Sequence, residues 1–257
     1  MHIALRSGIL PTLISVLFAL VLVAGVPALS YSTAQNSEIQ TMPRLTLYLS
    51  AVCSQWVLTF LGFGVALLAA PEVFTKGFGA MPLFAFLAWG VGVAAIAILA
   101  LGMVISAERY GWLPQESDLV YRLVPETSRE KLWAVLIVAP TAAFCEEFLF
   151  RGYLLTQFHI WFHSPLWALV VSSIAFAFAH FYQGRSGMTR AGLLGALLAY
   201  PVVKWGSLYP AMLAHWMIDA VALFWLGSWM VRKDSSGDTR WSTAYVKRES
   251  DASDEDC

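Results

Sequence analysis

Charged side chains interrupt the apolar segments of the second half of the chain. The run Leu132–Leu155 carries Glu146, Glu147 and Arg151. Each such group costs about 2.5–3.5 kcal/mol on membrane-insertion scales, so a retained set indicates a function. Glu147 and Arg151 are four residues apart, share one helix face and can form a pair that pins the helix or orients a pocket. Glu146 points about 100° away from Glu147 and needs another partner.

Two further apolar runs each bring a histidine. The run Trp161–Tyr182 has His180 near its end, and the run Leu208–Met230 carries His215 and Asp219, again four residues apart. Ionisable groups inside a membrane normally face the bundle interior and pair with one another. We therefore expect these three residues to meet Glu146 in one polar pocket.

Two kinds of chemistry fit this set, and both lead to hydrolysis. A carboxylate and imidazoles can hold a water molecule and take its proton, while hydrogen-bond donors stabilise an oxyanion. The same residues, Glu146, His180, His215 and Asp219, could instead hold a divalent metal, for which zinc is the best match. We therefore expect the protein to use either no cofactor or a divalent metal. The sequence contains no G-x-S-x-G, P-loop or H-E-x-x-H motif that would favour another reaction.

The composition indicates lipid as the solvent. Hydrophobic residues make up 58% of the 257 residues and charged residues 13%, where a soluble domain has about 25% charged residues. The net charge of -1 and the lack of a basic patch argue against a nucleic-acid partner. The three cysteines form no CxxC pair, and an apolar helix disfavours Cys145 as a nucleophile.

The apolar runs predict an all-α fold, a polytopic transmembrane bundle of about seven helices with the polar pocket between the last four. A membrane-spanning helix needs about 20 apolar residues, and the short run at 191–203 can be tilted, re-entrant or buried. The predicted helical domain covers residues 1–231, with its motif-bearing core at about 130–228. The polar tail 232–257 is predicted to be disordered. The seven runs are Ile9–Tyr31, Leu45–Ala69, Pro82–Ile105, Leu132–Leu155, Trp161–Tyr182, Ala191–Val203 and Leu208–Met230.

The distribution of Lys and Arg predicts the orientation. The loop set that includes 106–131 and the tail is richer in basic residues than the opposite set, which places the C-terminus in the cytoplasm. Without organelle signals, a prokaryotic cytoplasmic membrane is the expected location of this integral membrane protein.

Three motifs resemble those of the type II CAAX prenyl protease and bacteriocin-processing family, also called the CPBP or ABI family. Glu146–Arg151 resembles its EExxxR motif, Phe176–His180 its FxxxH motif, and His215–Asp219 its third motif, in which His is followed four positions later by Asn or Asp. The resemblance covers roughly residues 130–228 and leaves the first three runs unmatched.

This resemblance implies a helical intramembrane endopeptidase. By similarity, Glu146 and His180 would activate a water molecule, and His215 and Asp219 would support the oxyanion. The expected partners are membrane lipid and a peptide or protein with a membrane-associated segment, such as a prenylated C-terminus, a peptide precursor or a membrane anchor. The residues expected to shape the site are Glu147, Arg151 and Phe176.

Asp219 stands where the family pattern often has Asn. An Asn amide donates a hydrogen bond at any pH, whereas an Asp donates only while it is protonated. An ionised Asp219 would suit a metal or a charged His215, so the metal-free and the metal-dependent hypotheses both stay open.

Two other functions are compatible with the sequence. A catalytically silent family member could act as a membrane scaffold or chaperone. A transporter with a Glu/His proton relay would favour inverted repeats, which the hydropathy does not show.

Overall fold

The computed structural model describes residues 8–110, 112 and 117–226 of the chain. The described elements are helices, so the predicted all-α bundle is confirmed. The predicted disordered tail 232–257 lies outside the described residues.

The helices fall into two halves along the chain. Those of the first half are α1 (Ile9–Gln35), α2 (Ser37–Thr41), α3 (Arg44–Ala69), α4 (Glu72–Gly77), α5 (Leu83–Arg109) and α6 (Asp118–Leu123). Those of the second half are α7 (Ser128–Phe162), α8 (Pro165–Ala179), α9 (Gly184–Trp205) and α10 (Tyr209–Val221).

The candidate membrane spans of the described residues are fewer than the predicted count of about seven, and the last predicted run, Leu208–Met230, ends outside the described residues. Within the described residues, four helices (α1, α3, α5 and α7) are long and apolar enough to cross a membrane. A fifth span arises if α8 and the segment Phe181–Trp205, bent by 57° relative to each other, count as one. The chain is thus a multi-pass membrane protein, and the runs at 161–182 and 191–203 fall on a helix pair that is either one broken span or a re-entrant loop. Hydropathy resolved them as separate peaks because polar residues occupy the bend.

The predicted start of a span at Trp161 is also wrong. Helix α7 continues to Phe162 and ends at His163, whose φ of 50° is left-handed. The Ser164 hydroxyl then accepts a hydrogen bond from the Trp167 backbone N–H at 3.4 Å and caps α8. Two residues inside an apolar stretch thus end one helix and begin the next, and an average of hydropathy does not detect such a cap.

Helix α7 is the central element of the bundle. Half of its most apolar window is buried, compared with 17–22% for α1, α3 and α5. Its Phe148, Tyr153 and Leu154 are fully buried in the main core cluster. The outer helices expose many large apolar side chains, as lipid-facing helices do.

The N-terminus of α7 is fixed by a capping box. The Thr127 hydroxyl accepts a hydrogen bond from the Glu130 N–H at 3.2 Å, and the Glu130 carboxylate accepts one from the Thr127 N–H at 3.0 Å. This reciprocal pair sets where the helix that carries the first motif begins.

Two π-helical segments interrupt α7. The first, Ala134–Val138, directly precedes Pro140, which has no N–H to donate back along the helix. The second, Glu147–Leu154, begins inside the first motif. Such segments rotate the side chains that follow and occur often at functional sites.

Two loops at one end of the bundle are joined through their backbones. The Gly79 N–H donates to the Gly206 carbonyl and the Leu208 N–H donates to the Gly77 carbonyl, both at 2.7 Å. A Cβ at position 79 would lie 2.7 Å from the Gly206 oxygen, so only glycine allows this approach. The pairing fixes the loop that leads into α10, where His215 lies.

Close packing of α3 against α7 generates a stability prediction. A Cβ at Gly62 would lie 2.9 Å from Leu149 Cδ2, whereas one at Gly64 meets nothing within 4 Å. We expect Gly62→Leu to destabilise the protein by about 1–3 kcal/mol through overpacking. Gly64→Leu, on the same helix, is the control. Thermal unfolding in detergent measures both, and equal midpoints for the two variants would contradict this packing.

Candidate active site

Glu146 lies between the two histidines of the sequence prediction. Its Oε2 is 3.6 Å from His180 Nε2 and 3.9 Å from His215 Nε2. This buried oxygen has no hydrogen-bond partner among the described residues. Helices α7, α8 and α10 thus bring one carboxylate oxygen and two imidazole nitrogens around a common point.

The other Glu146 oxygen has a partner that sequence reasoning missed. Gln55 on α3 donates a hydrogen bond from Nε2 to Glu146 Oε1 at 2.7 Å. Its sequence signal was a polar amide in the apolar run Leu45–Ala69, and an amide in a membrane helix needs a partner. The sequence indicates that Gln55 needs a hydrogen-bond partner, but it does not show that this partner is Glu146, 91 residues away.

The orientation of His180 follows from its backbone contact. His180 lies at the C-terminal cap of α8, where its Nδ1 is 2.9 Å from the Phe176 carbonyl oxygen. A carbonyl only accepts, so Nδ1 carries the proton. In the neutral ring, Nε2 then presents its lone pair toward Glu146.

His215 is held by a buried carboxylate. Its Nδ1 is 2.8 Å from Glu147 Oε1, and Arg151 Nη1 donates to the same oxygen at 3.0 Å. The side chains of Glu147 and Arg151 are 0% and 1% exposed. Because a carboxylate beside a guanidinium acts as the acceptor, the Nδ1 proton of His215 donates to Glu147 and Nε2 is left to face the pocket.

Phe176 packs against three of these groups. The Arg151 guanidinium lies 3.8 Å from the centre of its ring, and the ring centres of His180 and His215 are 4.4 and 6.3 Å away. Gly195 of α9 allows this stack, since a Cβ there would come within 3.2 Å of Arg151 Nη2 and 3.3 Å of the Phe176 ring. Sequence reasoning did not single out Gly195.

Asp219 is the most open member of the predicted set. Its Oδ2 is 3.5 Å from His215 Nε2, and its side chain is 32% exposed. This distance gives an electrostatic contact with the imidazole at the outer limit of a hydrogen bond.

Tyr182 is a second neighbour that the sequence did not indicate. Its ring stacks on His180 with centres 6.0 Å apart. Its backbone N–H donates to the Ser30 hydroxyl at 3.0 Å, and its carbonyl accepts from the Ser117 hydroxyl at 2.5 Å. Helix α1 and the segment before α6 therefore position the residues that follow His180.

The candidate ligands do not form a preassembled metal site. Among the described residues, no group of three or more His, Cys, Asp or Glu side chains is arranged to hold a metal ion. Glu146 Oε2 is 3.6 Å from His180 Nε2 and 3.9 Å from His215 Nε2. Neighbouring ligand atoms of a tetrahedral zinc ion are closer, at a separation of about 3.3 Å.

The region that contains these residues resembles a known protein family. Residues 128–221 match the family model described as type II CAAX prenyl endopeptidase Rce1-like. This part of the chain is similar to the Rce1-like family, and the resemblance expected from the three motifs is confirmed. No curated protein and no solved structure matches the chain.

The Rce1-like segment contains the three motifs but not the whole site. Glu146, His180, His215 and Asp219 all lie within it. Gln55, which binds Glu146, and Ser30, which holds Tyr182, lie before it. The helices that precede the Rce1-like segment therefore contribute contacts to the site.

The buried Glu147–Arg151–His215 cluster generates a stability prediction for the Rce1-like fold. Arg151→Met leaves the Glu147 carboxylate facing His215 alone, and breaking a buried ion pair costs about 3–5 kcal/mol. We expect a large fall in the thermal unfolding midpoint, partly restored in Arg151→Met/Glu147→Gln. Lys204→Met, which removes an exposed cation, is the control. An Arg151→Met variant as stable as this control would contradict a structural role for the pair.

Proposed function

We propose that this protein is an intramembrane endopeptidase that hydrolyses a peptide bond of a membrane-associated or lipidated substrate through a water activated by Glu146 and His180. The observation that carries the proposal is the unpartnered Glu146 Oε2, 3.6 Å from His180 Nε2. Similarity to a family whose name describes endopeptidases supports it independently.

The geometry suits a water that donates to both groups. Glu146 Oε2 and the unprotonated His180 Nε2 are both acceptors, and a water beside them can donate one proton to each. The lone pairs of that water then point away from both groups, toward a substrate carbonyl. Direct contact between two acceptors would be unfavourable, so water satisfies both.

The reaction follows ordinary general acid–base chemistry. As the water oxygen attacks the carbonyl carbon, Glu146 takes one of its protons and a tetrahedral oxyanion forms. Protonated Glu146 then gives that proton to the departing amine as the C–N bond breaks. The products are a new amine and a new carboxylic acid, which keeps the second water proton until it passes to the amine or to solvent, and Glu146 regains its starting state.

In this proposal His215 stabilises the oxyanion. Its Nδ1–H donates to Glu147, so Nε2 can donate to a substrate oxygen when the ring carries its second proton. The carboxylates of Glu147 and Asp219, 2.8 and 3.5 Å from the ring nitrogens, favour that positive ring. In this role Asp219 supports the charge of His215 and does not itself bind the oxyanion.

The surroundings of the site indicate a substrate delivered through lipid. The outer faces of α3 and α5 are apolar and exposed, so the protein remains in the membrane. A peptide that carries a prenyl group or an apolar anchor is concentrated in the same two-dimensional phase. We place the C-terminus on the cytoplasmic side of a prokaryotic cytoplasmic membrane on the basis of the Lys/Arg distribution.

Cleavage of a lipidated peptide tests this function. The purified protein in detergent is incubated with quenched peptides, with and without an anchor, and wild type is compared with Glu146→Ala. We expect the variant to lose at least about 100-fold in rate, since removing a general base costs about 10²–10⁴-fold. Glu38→Ala, which removes an exposed carboxylate, should retain activity.

A chelator arm separates the two forms of the mechanism. Cleavage that persists under chelator but not in Glu146→Ala supports the metal-free mechanism. Cleavage lost in both indicates a metalloprotease with Glu146, His180, His215 and Asp219 as the ligands to test. Unchanged cleavage in Glu146→Ala contradicts the proposal, and an intact biological effect in that variant would favour a scaffold or chaperone.

Asp219 gives a second test. Under the metal-free mechanism, Asp219→Asn retains the shape beside His215 and adds an amide donor, so we expect activity within about tenfold of wild type. Activity and metal content are measured on the same preparation. Loss of activity together with loss of a bound metal would favour the metal-dependent mechanism.

A further inference from the structure

Gln55 touches the proposed general base from outside the Rce1-like segment. Its amide donates to Glu146 Oε1 at 2.7 Å, while the other carboxylate oxygen faces His180 and His215. A carboxylate held through one oxygen can rotate less about its last torsion. The bond therefore keeps the second oxygen aimed at the histidines.

Helix α3 holds Gln55 in register with α7. The neighbouring Trp56 donates from Nε1 to the Thr141 hydroxyl at 3.3 Å, and its ring stacks on Phe144 with centres 5.5 Å apart. Gly62, two turns further along α3, lets the Leu149 side chain approach closely. Along α7 these contacts lie before and after Glu146, so the amide is presented by a packed helix pair.

We propose that Gln55 is a positioning residue for catalysis, which orients Glu146 and so contributes to turnover without touching substrate. This inference rests on the proposed function. It also means that the Rce1-like segment is catalytically incomplete without α3, since its general base would lose the contact that aims it.

A Gln55→Leu variant tests the inference by separating kcat from KM. Removing the donor frees Glu146 to rotate, and losses of about 10–100-fold are typical when a group that orients a catalytic residue is removed. We expect kcat to fall by that factor, KM to change by less than about threefold, and the thermal midpoint to stay near that of wild type. A role confined to folding would instead lower the midpoint and the folded fraction, leaving kcat per folded molecule unchanged.

Gln157→Leu is the matched control. It makes the same substitution at a buried glutamine of α7 for which no contact with Glu146 is found. We expect its kcat to equal that of wild type, which would show that loss of a buried amide alone does not slow the reaction.

Two further variants make the test independent of side-chain size. Gln55→Glu keeps the shape but puts a second carboxylate against Glu146, so one proton is shared and kcat falls. The exchange Gln55→Glu/Glu146→Gln retains an amide–carboxylate pair but moves the carboxylate away from the histidines, so a folded, inactive protein is expected. Wild-type kcat in both Gln55→Leu and Gln55→Glu would overturn the inference while Glu146→Ala remained inactive. Full activity in Glu146→Ala would overturn the proposed function and this inference together.

Discussion

The buried carboxylate of Glu147 is the interaction on which the rest of the site depends. One of its oxygens accepts from Arg151 on its own helix and from His215 on α10, so it joins the two helices and fixes the protonated nitrogen of the imidazole. A lone charge in this fully buried place would be very costly, and the guanidinium and imidazole together make it tolerable. The stack of Phe176 on the guanidinium then ties α8 into the same cluster.

The adjacent residues Glu146 and Glu147 contact different partners because consecutive side chains of a helix point in different directions. Both hydrogen-bond contacts of Glu147 go to its Oε1, from Arg151 and His215, and its buried Oε2 has no partner among the described residues. Glu146 turns toward His180 and Gln55, with one oxygen held and one oxygen open to the pocket. The π-helical segment that begins at Glu147 lies where the two directions diverge. A structural pair and the proposed general base are thus built from consecutive residues.

The sequence predicted the helical pairs and a pocket shared by Glu146, His180 and His215, but it did not predict the contacts that Gln55 and Tyr182 add. The i,i+4 relation of Glu147 and Arg151 and the polar interruptions at His180 and His215 follow from periodicity, and the all-α membrane fold follows from composition. The Gln55–Glu146 bond was not predictable because it joins residues 91 positions apart in different helices. The positions of the helix ends differ from the predicted runs because the cap at His163 and the bend after Ala179 depend on single residues.

The central claim is that a water held by Glu146 attacks the peptide bond directly. Single-turnover cleavage of an anchored peptide in H₂¹⁸O, followed by mass spectrometry of the product and of the digested enzyme, tests it. The account predicts one ¹⁸O in the new carboxylate of the product and none in the peptide that contains Glu146. Label in that enzyme peptide, or an acyl-enzyme trapped by hydroxylamine, would mean that Glu146 attacks as a nucleophile and would contradict the account.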